Sequence, residues 1–404
     1  MGLCKKAGAA LLALILAAAL VSPTLAAEDE TLRFDEHGQF HILIVADTQD
    51  IDKPQAETIA LLEAELDAAQ PDLVVFLGDQ IHSPTLGASV ERTQKALDAI
   101  LQPVAERGLK FAVVFGNHDD EGGVSKEEQM AYYQTYPGCL AVAGPEGITG
   151  VGNYNLPVYA ADGSRALCNL WFFDSGTYAP EGQGKYAWVQ RDQLDWYLDT
   201  CAALTEANGG TPLPAYAFQH IIVPEIYDAL TEVDAAEKKN GAVEGFSSRS
   251  GHWYTGAFRA GELGEGPCPP DVNGGEFDAW LQGGDITAAF FGHDHVNDFE
   301  LTYKGIDLVN TNSTGFYIYG DGLDHGARLV TLRAEDPGRY ETKMLYYRDL
   351  IGTKLPFGFA GTWGVYVQRI VLLAVAALIV VLAGIAVLTV KLVKRHRKKA
   401  AAKA

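Results

Sequence analysis

An α/β sandwich, with two packed mixed sheets flanked by helices and one membrane-spanning helix after them, is the fold this sequence predicts. Three observations predict it. Short apolar, β-branched runs alternate with helical patterns early in the chain; later runs read as consecutive strands; and a 21-residue stretch near the end carries no charge. Alternating strands and helices argue for parallel strands with covering helices. An uncharged stretch of that length reaches across a bilayer.

Each element follows in order. Lys5 and Lys6, an apolar run over residues 7–21 and the small residues around Ala26 and Ala27 have the order of a secretory leader, residues 1–27. An uncleaved anchor is the alternative that the same run allows. Residues 40–46 form a buried strand. Residues 54–70 form a helix opened by Pro54, with Ile59, Leu62 and Leu66 on its apolar face. Residues 73–77, 89–107 and 110–115 then read as strand, helix and strand.

Past residue 125 the rhythm changes. Residues 154–159 and 166–173 are strands, 189–205 a helix, 215–218 a strand, 277–282 a short helix and 286–291 a strand. Residues 298–303, 307–310, 327–332 and 340–347 read as successive antiparallel strands. Residues 235–275 have no period and read as an inserted loop, a common place for substrate contacts. One domain thus covers residues 28–350, followed by a juxtamembrane linker at 351–369, a spanning helix at 370–390 and a basic tail at 391–404. Lys391, Lys394, Arg395, Arg397, Lys398 and Lys399 keep that tail cytoplasmic, so everything before the helix faces outward.

The formal net charge is −21, and ten basic residues lie in terminal segments that hold no Asp or Glu, so the part between carries about −31. That balance excludes nucleic acid as a stable partner, because phosphate backbones need clustered Lys and Arg. Cys139, Cys168, Cys201 and Cys268 face an oxidising space on this reading, with three pairings open. Their spacings are too wide for a structural zinc knuckle.

Five short motifs fall at the ends of apolar runs: Asp47-Thr48-Gln49, Gly78-Asp79, Gly116-Asn117-His118-Asp119, the lone His220, and Gly292-His293-Asp294-His295. Groups just past the carboxyl ends of parallel strands converge on one crevice. Mixed carboxylate, imidazole and amide donors suit borderline or hard divalent ions. A single Gly-Asp is usually a turn, and a lone buried His usually packs. Four polar groups in a row behind a hydrophobic strand have no packing rationale.

These motifs resemble those of the calcineurin-like metallophosphoesterases, which read Asp-x-His, Gly-Asp, Gly-Asn-His-Asp/Glu, a lone His and Gly-His-x-His. The resemblance spans residues 40–348 and leans towards the purple acid phosphatase 29-like and Dcr2-type branch. Residues 170–176, 218–225 and 292–298 support it. It implies a four-layer α/β/β/α sandwich and a phosphate-ester substrate. It also implies two divalent ions (Mn, Fe, Zn or Mg), with a hydroxide between them attacking phosphorus. One ion would be held by Asp47, Gln49, Asp79 and His295, the other by Asp79, Asn117, His220 and His293. His118 would protonate or stabilise the leaving oxygen, with Asp119 orienting it.

Two positions depart from the family. Gln49 stands where a His is usual, which weakens the first site or biases it towards Mn²⁺ or Mg²⁺ and leaves a non-catalytic, metal- or phospho-ligand-binding protein as the alternative. His82 stands where purple acid phosphatases place a Tyr on iron, so no purple colour is expected. For substrate contacts, Arg249, His252 and Arg259 of the inserted loop are the candidate cations. Residues 313–316 are expected to line the same crevice.

Overall fold

Twelve strands fall into two sheets, and the two pack face to face in a computed structural model that describes residues 31–354 and 364–401. The predicted leader lies outside the described residues, as do residues 355–363 of the linker. Strands are numbered along the chain, and helices longer than one turn likewise.

The early apolar runs form the five-stranded sheet. Strands β2 (Gln39–Val45), β3 (Leu73–Leu77) and β4 (Lys110–Val114) pair in parallel, with Val75 facing Ile44 on one side and Ala112 on the other. β14 (Gly326–Arg333) joins β2 antiparallel, and β15 (Tyr340–Tyr346) closes that edge. The crossovers are α1 (Ala56–Ala69) and α2 (Val90–Glu106). Ser89 caps α2 by accepting from the Arg92 N–H, and Leu97, Ile100, Leu101 and Val104 face inward at helical spacing. A reciprocal Ser125–Glu128 capping box starts α3 (Lys126–Tyr133).

The seven-stranded sheet has the order β1 (Leu32–Arg33), β5 (Tyr154–Tyr159), β6 (Ala166–Phe172), β7 (Ala215–Phe218), β11 (Ile286–Phe291), β13 (Ile306–Asn310), β12 (Glu300–Tyr303). Its side chains alternate as the pleat requires. Leu170, Phe172, Tyr216, Phe218, Ala288 and Phe290 enter the core shared with the other sheet. Trp171, Phe173, Ala215, Ala217, Ala289 and Phe291 pack towards α4 (Arg191–Ala207) and α5 (Glu276–Gly283). Across the inner face Phe172, Phe218 and Phe290 stack, each ring centroid 5.3 Å from the next. The layers therefore run helix, sheet, sheet, helix.

Two expectations change. The last four strands are not one antiparallel run. β13 pairs in parallel with β11 and β12 hangs antiparallel on β13, whereas β14 and β15 belong to the other sheet. A local apolar pattern gives a strand's faces and says nothing of its partner, and residues 311–325 carry the chain between the sheets. The 235–275 loop also holds structure: β10 (Trp253–Thr255) pairs antiparallel with β8 (Thr231–Val233) on one side and β9 (Val243–Glu244) on the other, in a small sheet. Among the described residues no disulfide links the cysteines, and Cys168 and Cys201 are buried thiols. The C-terminal helix α6 (Gly364–Ala401) includes Val371–Lys391, 21 residues with mean hydropathy 3.2, long and apolar enough to cross a membrane.

Candidate metal centre

All five motifs leave the carboxyl ends of strands, three from the smaller sheet (β2, β3, β4) and two from the larger (β7, β11). Their turns are tight. Asp47, Gln49, Asp79 and His293 have φ of 49°, 35°, 50° and 71°, four of the seven non-glycine residues in the left-handed region among those described. Each such residue costs about 1–2 kcal/mol. That strain gathers here, which marks a site rather than ordinary turns. Two motif glycines are there for close approach. A Cβ on Gly78 would lie 2.3 Å from His220 Nδ1, and one on Gly116 would lie 2.1 Å from Asp79 Oδ1.

The side chains converge. His220 Nε2 is 3.2 Å from Asp79 Oδ2 and 3.3 Å from His293 Nδ1. His295 Nε2 is 3.4 Å from Asp47 Oδ1. Asp79, His220 and His293 form one group of potential ligand atoms within 4.8 Å of one another, and Asp47, Asp79 and His295 form a second. Asp79 belongs to both. The outer nitrogens are tied: His220 Nδ1 donates to Leu77 O and His295 Nδ1 to Tyr319 O, each at 2.9 Å. Both rings therefore present Nε2 to the centre.

Burial here leaves polar atoms unsatisfied. Asp47 Oδ1, Gln49 Oε1, Asn117 Oδ1 and His293 Nε2 are buried with no hydrogen-bond partner. Four such atoms in one place have a high cost, roughly 1–3 kcal/mol each, unless something binds them. All are oxygen or nitrogen donors, and a divalent ion fits the set.

Charge is arranged to match. Burial acts to raise the Asp79 carboxyl, but the His220 and His118 imidazoles outweigh it and hold the group below its usual range. Burial opposes charge on His220 and His295. For His220, Asp79 and Asp47 win and lift it to about 10; for His295, Asp47 lifts it to about 9. Burial and the adjacent His220 keep His293 neutral, well below the usual imidazole value.

The His118 ring lines the crevice, and its backbone N–H donates to Asp79 Oδ1 at 2.7 Å. Asp119 does not orient that ring. Its carboxylate accepts from the N–H groups of Gly116, Asp79 and Ile81 at 2.7, 3.0 and 3.2 Å, stapling the β3 and β4 turns together. The carboxylate on His118 Nδ1 is Glu121, missed in the sequence although an acid three residues on is within reach in a turn.

The crevice has a volume of about 550 Å³. Gln49, Asp79, His82, His118, His293 and His295 line its floor; Tyr186, Phe246, Ile318 and Tyr319 supply apolar wall. Neither Arg249 nor Arg259 lines it. Arg259 is held by Glu300, Asp307 and Tyr340 at 3.0, 2.9 and 2.8 Å, and Arg249 lies over the Tyr227 ring. Acidic neighbours take up Arg259, and an aromatic ring takes up Arg249. The cation lining the crevice is Lys185, its ammonium 4.9 and 5.1 Å from the Tyr186 and Phe246 ring centres. Residues 313–316 act from below. Ser313, Thr314 and Gly315 donate their N–H groups to His295 O, Ala46 O and Asp47 O, which buttresses the turns.

Residues 40–297 match the model of the calcineurin-like phosphoesterases. Two relatives from Arabidopsis thaliana are "Probable inactive purple acid phosphatase 14", 29% identical over 75% of this chain and 78% of that one, and "Probable inactive purple acid phosphatase 28", 30% identical over 72% and 74%. "Phosphatase DCR2" of Saccharomyces cerevisiae is 27% identical over 62% of this chain and 40% of its own length. By the match over most of its domain, this chain belongs to the calcineurin-like phosphoesterases, hydrolases of phosphoric ester bonds.

Proposed function

We propose that the protein is a membrane-anchored, outward-facing hydrolase of phosphate mono- or diesters that uses two divalent ions. The observation that carries this reading is the sharing of Asp79 between two groups of ligand atoms. Asp47, Gln49, Asp79 and His295 hold one ion on this reading, and Asp79, Asn117, His220 and His293 the other. When bound, the ions supply Lewis acidity to the phosphoryl oxygens and acidify a water towards neutrality. His118, in the crevice but outside the ligand set, serves the leaving oxygen. Lys185 offers a positive charge to the bound anion. Among Mn, Fe, Zn and Mg, the amide oxygen of Gln49 favours the harder Mn²⁺ or Mg²⁺. The helix over Val371–Lys391 anchors the chain, and the basic residues after it hold the tail on the cytoplasmic side.

A second reading, binding without turnover, has two supports: Gln49 in place of an imidazole, and relatives whose names carry the word inactive. On either reading Gln49 Oε1, buried with no hydrogen-bond partner, offers the first site an oxygen ligand in place of the imidazole. The test is hydrolysis of p-nitrophenyl phosphate and its bis-ester with added Mn²⁺. Turnover is expected, lowered by roughly 10²-fold or more in Asn117→Ala and His118→Ala. Equal rates in all three proteins would sink the hydrolase reading, and full metal occupancy without turnover would favour the second.

A further inference from the structure

We propose that Glu121 is the positioning residue for His118, and that Tyr178 latches this pair to the amide of Asn117. The proposal rests on the hydrolase reading, in which His118 faces the leaving group.

Glu121 uses both carboxylate oxygens. Oε2 meets His118 Nδ1, and Oε1 accepts from the Tyr178 hydroxyl at 2.5 Å. That hydroxyl in turn accepts from Asn117 Nδ2 at 3.3 Å. The chain of contacts fixes two orientations at once. With its amide nitrogen turned to Tyr178, Asn117 keeps Oδ1 buried and unpartnered, available as a ligand oxygen. With Nδ1 held by a carboxylate, the His118 ring has Nε2 left for substrate. The His118 and Glu121 side chains are only 31% and 24% exposed, so their contact keeps much of its strength. Asp119 cannot share the task, since three backbone N–H groups occupy its buried carboxylate.

Tyr178 comes from the loop after β6, far along the chain from the motif that it serves. Its ring stacks on Tyr186, and Tyr186 packs edge-on against His293, with centroids 5.9 and 4.5 Å apart. One loop therefore touches the acid's support and both Asn117 and His293. During hydrolysis the bond from phosphorus to the leaving oxygen breaks as one to the water oxygen forms. The Nε2 proton of His118 passes to the leaving oxygen, while the Nδ1 proton stays on the Glu121 contact. The water's proton goes to solvent, solvent reprotonates Nε2, and no electrons change hands.

The experiment compares the full-length, Mn²⁺-loaded wild type with Glu121→Ala, Glu121→Gln and Tyr178→Phe on p-nitrophenyl phosphate and n-butyl phosphate. Nitrophenolate leaves without a proton; butoxide needs one. Glu121→Ala is expected to keep its metal content and KM, and to lose roughly 10²-fold in kcat on the butyl ester but only a few-fold on the nitrophenyl ester. Glu121→Gln, which retains an acceptor oxygen, recovers most of that loss, and Tyr178→Phe falls between. Nitrogen-resolved imidazole NMR supplies a reading independent of turnover: neutral His118 carries its proton on Nδ1 in the wild type and on either nitrogen in Glu121→Ala. Equal losses on the two esters, no loss on either, or an unchanged tautomer would overturn the positioning role alone. A wild type that turns over neither ester would reject the hydrolase reading and this proposal with it.

Discussion

Lys126 shows what single residues do around this site. Its ammonium lies 2.8 Å from Asp174 Oδ1, with both side chains buried. Burial acts to discharge the lysine, and Asp174 more than offsets it, holding the ammonium above its ordinary range. The other Asp174 oxygen accepts from the Val151 N–H at 2.9 Å. The pair joins α3, which follows the His118 turn, to the loop that carries Tyr178. Removing one partner leaves the other as an unpaired buried charge. Lys126→Met should therefore lower stability by roughly 3–5 kcal/mol in urea unfolding. A loss below about 1 kcal/mol, the range of an exposed pair, would show that the charge is not confined as drawn.

At the scale of elements, the strands and their polar ends were legible because burial on both faces writes a continuous apolar run, as in Leu73–Leu77. Helix ends came within a few residues, for caps such as Ser89 sit where the periodicity starts. What stayed hidden was pairing. Nothing local in residues 306–310 reveals that they lie parallel to β11, with Phe290 opposite Val309. Two- and three-residue strands such as Val243–Glu244 are too short to carry a period. The same divide runs through the site. Ligand candidates were legible as motifs, because each sits directly behind a strand. The supporting partners were not: Tyr178 reaches Glu121 across 57 positions, and Tyr319 meets His295 from a connection between sheets. Arg249 and Arg259 misled because charge alone does not tell which ring or acid a cation will meet.

The whole molecule divides its charge sharply, with an acidic domain of about −31 between basic ends and a helix of mean hydropathy 3.2 before the tail. If that helix anchors the chain as proposed, the full-length protein partitions into the detergent phase. Protease added to intact cells then cleaves the domain and spares a tag on the tail. A protected domain with a cleaved tag would reverse the orientation. The fold's larger consequence is to bring ends of strands from both sheets to one crevice, so that side chains from Asp47 to His295 share a small volume. The most direct test of that claim is the anomalous signal of manganese in crystals of the Mn²⁺-loaded protein. The account predicts two peaks in the crevice with Asp79 bridging them, and the loss of both in Asp79→Ala. A single peak, or manganese bound away from Asp79, would contradict it.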